Sequence, residues 1–203
     1  MAGMSYSATP PMAVISPQFC MGYPIDLVIL RQLLSLSDGN FIANDVNGNN
    51  LFRTRRRILS FKDRHVLLDA AGNPLVTFQK KMLSAHGRWK VFRGESTEEK
   101  DLIFSVKKSS LFQIKTKLHV FMAPNTSEEF PDFRIEGSWF DRSCIIYDSN
   151  NVVVAQMHKR HTAQSILLGR DTFGVTVYSN VDYAFVVALI VILQEIHEEE
   201  SRE

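Results

Sequence analysis

From residue 25 onward, short apolar runs alternate with polar breaks. The runs are rich in Val, Ile, Phe and Leu, and Gly, Asn, Asp or Pro interrupts them about every eight to twelve residues. In the longest run, residues 111–122, Leu118 and Val120 alternate with Lys117 and His119, which is the period of a strand with one buried face. The pattern predicts roughly a dozen antiparallel strands arranged as a barrel or a sandwich.

One segment near the end of the chain is apolar on every side. Residues 181–196 contain an uninterrupted apolar run, residues 184–193, and Ser179 and Asp182 precede it at the spacing of a capping box. A helix of this run is about 15 Å long, roughly half the thickness of a bilayer core. Because such a helix must be covered by protein, the sequence predicts a closed antiparallel β-barrel of about twelve strands around a buried C-terminal helix.

The two ends of the chain differ in composition from the domain between them. Residues 1–24 contain four prolines and no charged residue, so they predict a mostly mobile arm. The barrel domain is expected over residues 25–197, with the central helix at 181–196 and an acidic tail at 198–203. The first residues match neither a secretion signal nor an N-myristoylation motif, and two cysteines are too few for a disulfide framework. We expect a cytoplasmic protein, with membrane association or a nuclear location as alternatives.

Three predicted hairpins share the same turn chemistry. An Asp ends the first strand of each (Asp45, Asp69 and Asp148), and a residue that tolerates positive φ follows three positions later (Gly48, Gly72 and Asn151). Each carboxylate can accept backbone amides of its turn, so a structural role explains all three. Calcium binding is not predicted at the first loop, because the position that needs a bidentate Glu is Arg56.

Positive charge is concentrated in one part of the chain. Residues 51–120 contain 16 Lys and Arg against 6 Asp and Glu, whereas residues 194–203 contain five Glu and one Arg. The candidate anion-binding residues are Arg53, Arg55, Arg56, Arg57, Lys80, Lys81, Lys107, Lys108, Lys115 and Lys117. If the strand ends that carry them gather at one rim, they form a site for an inositol phosphate headgroup or a nucleic-acid backbone. The alternative is that Lys and Arg only solvate outward strand positions.

No motif for catalysis or cofactor binding is recognisable. The sequence has no Gly-x-Ser-x-Gly elbow, no reactive-cysteine motif, no Walker loop and no Gly-rich dinucleotide turn. His158 and His161 have no further metal ligand close in sequence, and the two cations between them oppose a metal ion. We therefore expect a non-enzymatic protein without a cofactor or a metal.

Several short stretches resemble a known family. They are Tyr23-Pro-Ile-Asp with Ser37-Asp-Gly-Asn-Phe, Trp89-Lys-Val-Phe-Arg-Gly, Asp101-Leu-Ile-Phe-Ser-Val-Lys-Lys-Ser-Ser, Gly137-Ser-Trp, and Val181-Asp-Tyr-Ala-Phe followed by the apolar run. In these stretches the chain resembles the LURP-one-related family of plants, a branch of the tubby-like and phospholipid-scramblase superfamily. The resemblance implies a twelve-stranded barrel around a central hydrophobic helix. It also implies that residues 25–36, whose periodicity fits a strand or a helix, begin as a strand.

The same resemblance leaves three functions open. Tubby-like relatives are phosphoinositide-tethered transcription regulators, which implies a membrane-tethered regulatory module that binds anionic phospholipid. Scramblases move lipids, and of their acidic calcium-binding segment this chain keeps only Asp171 and Asp182. Their palmitoylated cysteine cluster has one counterpart here, Cys20, and a single acyl chain anchors weakly. The third alternative is a protein-interaction domain in plant defence without a lipid role.

Overall fold

The computed structural model describes residues 10–31, 41–57, 64–81, 87–109, 116–159 and 171–200. Its strands are β1 (Ile25–Arg31), β2 (Phe41–Asn44), β3 (Asn50–Arg57), β4 (Arg64–Asp69), β5 (Pro74–Lys81), β6 (Arg88–Arg93), β7 (Leu102–Lys108), β8 (Thr116–Met122), β9 (Phe133–Gly137), β10 (Ile145–Asp148), β11 (Val153–Lys159) and β12 (Asp171–Val177). The described helices are two short 3₁₀ helices, Pro17–Phe19 and Glu99–Asp101, and the long helix α1 (Tyr183–Glu200). The part of the predicted strand before β8, residues 111–115, lies outside the described residues.

The strands close into a barrel. Each strand pairs antiparallel with the next one in sequence, and β12 pairs with β1 from Ile25 opposite Val177 to Arg31 opposite Asp171. This confirms the predicted closed barrel of twelve strands, and β1 confirms that the ambiguous segment at residue 25 begins as a strand. Closure pairs both edges of every described strand, which protects the sheet from edge-to-edge association.

The two ends of the barrel differ because consecutive strands run in opposite directions. At one end, here called the helix-start rim, turns join β2 to β3, β4 to β5 and β10 to β11, and α1 begins after β12. At the other end, the helix-end rim, lie the last residues of the odd-numbered strands, among them Arg57, Lys81, Lys108 and Lys159. The long helix runs through the barrel from the first rim to the second.

The helix α1 fills the barrel. Every residue from 184 to 193 is at most 2% exposed, and the ring centroid of Phe185 lies 5.2 Å from that of Phe104 and 4.8 Å from that of Phe133. The structure thus confirms that strands cover the apolar helix on all sides, as a helix without a polar face requires. The helix continues to Glu200, so residues 198–200 of the predicted tail are helical. In the described part of the chain, no helix has the length and hydropathy of a bilayer span.

The aligned Asp residues order their turns as predicted. Asp45 accepts two backbone N–H groups of its turn through Oδ1, Asp148 does the same, and Asp69 accepts the backbone N–H of Asn73. The residues three positions later, Gly48, Gly72 and Asn151, have φ angles of 87°, 90° and 65°. These carboxylates are therefore structural groups of the helix-start rim.

Residues 10–24 pack against the helix-start rim, whereas the sequence predicts a mobile arm there. Ile15 and Phe19 are buried, and the ring centroid of Phe19 lies 5.5 Å from that of Phe52 and 5.3 Å from that of Tyr183. The prediction is corrected for these residues because their apolar side chains close the mouth of the barrel. Residues 1–9 lie outside the described part of the chain.

Asp182 joins this N-terminal segment to the helix. Its Oδ2 accepts the backbone N–H groups of Val14, Ile15 and Ser16 at 3.1, 2.7 and 3.0 Å. Its Oδ1 accepts the N–H groups of the second and third helical residues at 3.0 and 3.1 Å. Asp182 is therefore the N-cap of α1, and not the N3 residue of a capping box whose N-cap is Ser179.

Candidate anion-binding rim

Most of the predicted cations lie at the helix-end rim. Arg57, Lys81 and Lys108 end β3, β5 and β7, Arg56, Lys80 and Lys107 precede them, and Lys117 is the second residue of β8. Arg53 and Arg55 stand earlier on β3, and Lys115 lies outside the described residues. The strand ends thus gather as the anion-site hypothesis requires.

The strand period divides each basic pair between the two faces of the sheet. Lys80 continues the inward row of the core residues Val76 and Phe78 on β5, whereas Lys81 points outward and is exposed. Lys108 continues the inward row of β7 in the same way, and Lys107 points outward. The two lysines of each pair therefore have different surroundings: Lys81 and Lys107 lie on the outside of the barrel, and Lys80 and Lys108 face its interior end.

The inward lysines contact the polar end of the helix. Lys80 Nζ lies 2.7 Å from Glu199 Oε2, and Lys108 Nζ lies 2.7 Å from Glu200 Oε1. These cations also complement the negative end of the helix macrodipole. Glu199 and Glu200 of the predicted tail are therefore counterions of the basic strand ends. The sequence interpretation missed this pairing, although it noted that the two charges are segregated.

Two further contacts hold the last turns of the helix to the rim. His65 Nδ1 lies 3.3 Å from Glu195 Oε1, and Thr116 Oγ1 lies 3.1 Å from Nε2 of His197. The imidazole of His197 also stacks on the indole of Trp139, with centroids 5.4 Å apart and planes 8° from parallel. Burial lowers the pKa of His197, while the neighbouring Glu200 opposes that shift.

An outward cluster surrounds the carboxylate of Glu128. Arg88 binds both of its oxygens, with Nη2 2.6 Å from Oε2, and Lys107 Nζ lies 3.1 Å from Oε2. Lys107 also lies over the ring of Phe121, 4.4 Å from its centroid. The hydrogen bond from Arg88, followed by the contact with Lys107, lowers the pKa of Glu128 from 4.5 to about 2. Lys107 is thus paired with Glu128 and Phe121 on the outer wall of the barrel.

This cluster predicts a change in the acid dependence of stability. The lowered pKa of Glu128 means that its stabilisation is complete above about 4.5 and is lost as the pH falls toward 2. We expect Glu128→Gln to reduce the free energy of unfolding by about 2 kcal/mol at neutral pH, and the difference to shrink near pH 2. Urea unfolding across this pH range measures the difference. Glu129→Gln, a change at the exposed neighbour, serves as control, and equal effects of the two would contradict the prediction.

Arg53 and Arg55 lie on the outer wall of β3. Arg53 is exposed, and Arg55 Nη2 lies 2.7 Å from Glu95 Oε1. On β8, Lys117 Nζ lies 3.4 Å from Glu136 Oε1. β3 and β8 are five steps apart in a ring of twelve strands, so outward side chains on the two strands point in nearly opposite directions.

The remaining predicted residues have structural surroundings. Cys20 is half-buried, and burial, followed by the charge of Asp182, raises the pKa of its thiol, which disfavours the reactive thiolate. His158 stands opposite Gly174 in the β11–β12 pair, and its imidazole fills the space that a Cβ there would need. His161 lies outside the described residues. Within the described ranges, no three His, Cys, Asp or Glu residues come together as a metal site.

By its fold, the protein is a closed twelve-stranded antiparallel β-barrel around a buried helix, with Lys and Arg at the helix-end rim. The model of the LURP-one-related family matches residues 25–194, so the chain belongs to the LURP-one-related family. This confirms the resemblance found in the sequence.

Relatives from Arabidopsis thaliana align over almost the whole chain. Protein LURP-one-related 15 is 50% identical over 202 residues, covering 98% of this chain and 93% of its own length. Protein LURP1 is 40% identical over 187 residues, covering 92% and 90%. An X-ray structure of an Arabidopsis thaliana protein superposes with a TM-score of 0.73 at 41% identity, covering 91% of this chain and 98% of that one.

Proposed function

We propose that this protein is a non-enzymatic regulatory module whose helix-end rim binds an anionic phospholipid surface. The observation that carries the proposal is the position of the basic strand ends: β3, β5, β7 and β8 all present Lys or Arg at the same rim. Lys and Arg near an anionic membrane contribute about 1 kcal/mol each, so several of them together support binding. In this proposal, binding to lipid holds the barrel at the membrane, and there the barrel acts on a protein partner.

The curvature of the barrel determines how a flat membrane can be bound. Outward side chains along the walls of β3 and β8 point in nearly opposite directions, so one plane does not touch both walls along their length. Lys117 is the second residue of β8, so it stands at the rim end of its wall. The end of the barrel, in contrast, presents the rim residues of all strands to the same plane. Binding is therefore end-on, through rim cations such as Arg57, Lys81 and Lys117, and the wall cations Arg53 and Arg55 contribute little.

The enclosed helix favours surface binding over lipid transport. Residues 184–193 are at most 2% exposed inside the ring of strands. A scramblase-like mechanism in which this helix enters the bilayer first requires the barrel to open. Surface binding through the rim needs no such rearrangement, so it is the proposal that we develop.

The test is a charge-matched pair of triple variants. We expect Arg57→Ala, Lys81→Ala and Lys117→Ala together to weaken binding to phosphoinositide-containing phosphatidylcholine vesicles about a hundredfold at low salt, since three rim cations are lost. Arg53→Ala, Arg55→Ala and Lys100→Ala together remove the same charge away from the rim, and we expect less than about a threefold change. Vesicle sedimentation at two salt concentrations measures both, and salt should weaken the wild type in the same direction.

Each result decides one part of the proposal. Equal losses in both triple variants would replace end-on docking by unspecific charge attraction. Binding that the rim variant retains in full would remove the rim from the mechanism. Deletion of residues 1–21 is unsuitable as a control, because Ile15 and Phe19 belong to the core and their loss destabilises the barrel. Comparison with RNA of equal charge density shows whether a nucleic-acid backbone is preferred instead.

A further inference from the structure

The lysines on the inward side of the helix-end rim are already occupied by carboxylates of the chain itself. We infer that Glu199 and Glu200, here called the helix latch, act as an internal anionic ligand of Lys80 and Lys108, and that a phosphate headgroup competes with them. The inference rests on the proposed function, because it describes how the same rim is regulated. The latch keeps Lys80 and Lys108 paired, and so unavailable to an external ligand, until a phosphate of sufficient charge displaces it.

The latch results from two sequence patterns that change at the same level of the barrel. The inward rows of β5 and β7 turn from apolar to basic at Lys80 and Lys108. The helix turns from apolar to polar after Leu193. Because the strands surround the helix, the new polar residues of both face each other, and each lysine nitrogen lies 2.7 Å from a carboxylate oxygen.

The latch contacts are accessible enough to be exchanged. The Lys80 and Glu199 side chains are 36% and 34% exposed, and those of Lys108 and Glu200 are 25% and 44% exposed. Ion pairs of this exposure typically contribute at most about 1 kcal/mol, since water screens them. A phosphate carries more charge and more acceptor oxygens than one carboxylate, so it can replace the latch at each lysine.

Removing the latch charges should therefore increase binding. We expect Glu199→Gln with Glu200→Gln to raise the affinity for phosphoinositide-containing vesicles about tenfold, because two competing carboxylates are lost. The matched control is Glu98→Gln with Glu99→Gln, which removes two carboxylates paired with Lys100 and Lys90 beyond the helix-start rim. We expect the control to change affinity less than about twofold. The soluble inositol phosphate headgroup, titrated in parallel, separates headgroup recognition from attraction to a lipid surface.

A fluorescence signal reports on the latch itself. Trp139 stacks on His197, which lies in the same helical segment, and Trp89 is the other tryptophan of the chain. In a Trp89→Phe background, displacement of the helix end should change Trp139 emission when the headgroup binds. Glu199→Gln with Glu200→Gln should shift this change to lower headgroup concentration.

The outcomes separate this inference from the proposed function. If the wild type binds vesicles through the rim and the latch variant binds with the same affinity, the inference is overturned and the proposed function stands. If only the latch variant binds, the latch is supported and keeps the wild type closed. If no form of the protein binds vesicles or headgroup, both are overturned.

Discussion

We expect Val187→Asp to abolish soluble expression of this protein. Val187 is fully buried in the helix inside the barrel, with 0% exposure. A carboxylate there lies in apolar surroundings without a partner, and the cost exceeds about 4 kcal/mol even if the group becomes protonated. Because domains of this size are stable by about 5–15 kcal/mol, a loss of this size removes a large share of the stability. The soluble fraction after expression, followed by circular dichroism, measures the result.

The matched control keeps the position and the apolar character of the core. Leu189→Met conserves volume inside the same buried helix, and we expect it to cost less than about 1.5 kcal/mol and to leave expression unchanged. Leu189→Asp should behave like Val187→Asp, since both positions are 0% exposed. If either Asp variant folds with native stability, the barrel does not enclose the helix as described.

The barrel could be predicted because its elements have strong local signals. The apolar run at residues 184–193 exceeds what a helix on a surface can present, so it requires a surrounding ring of strands. The turns at Asp45, Asp69 and Asp148 repeat one chemistry, and the hydrogen bonds of the structure match it. Both signals lie within a dozen residues or so of sequence, where patterns are most informative.

The surroundings of the basic residues could not be predicted in the same way. The sequence interpretation named Lys80 and Lys81 alike as candidate anion-binding residues, but strand alternation directs Lys80 toward Glu199 and leaves Lys81 exposed. The partner is more than a hundred residues away in sequence. Two features of the sequence could have suggested the ion pairs. Side chains alternate between the two faces along a strand, so one member of each basic pair points inward, and the end of the helix is acidic.

The N-terminal segment was missed for a related reason. Residues 10–24 lack a strand or helix pattern, and their proline content favours an irregular chain. Their order comes from tertiary contacts: Ile15 and Phe19 are buried in the core, and Asp182 binds three successive backbone amides. An Asp that precedes a buried helix is an N-cap signal, but nothing local indicates that its second oxygen binds a distant segment.

Asp182→Ala is expected to have the second largest effect on stability. The side chain is 0% exposed and accepts five backbone N–H groups, two from the helix and three from the N-terminal segment. Loss of an N-cap costs about 1 kcal/mol, and buried amides left without an acceptor add about 1–3 kcal/mol each where water does not reach them. Burial raises the pKa of this carboxyl and the amide donors oppose that shift. We expect the free energy of unfolding to fall by about 4 kcal/mol.

Comparison with other Asp variants identifies the cause of this loss. Asp182→Asn keeps one acceptor oxygen and should lose about half as much stability, while Asp45→Ala removes a carboxylate that also accepts two backbone amides, but at an exposed turn. Water replaces the lost acceptor at the exposed site, so we expect Asp45→Ala to cost at most about 1 kcal/mol. Urea unfolding measures all three, and limited proteolysis between residues 10 and 24 detects release of the segment. If Asp182→Ala costs no more than Asp45→Ala, or leaves the segment protected, then Asp182 does not hold the N-terminal segment on the barrel.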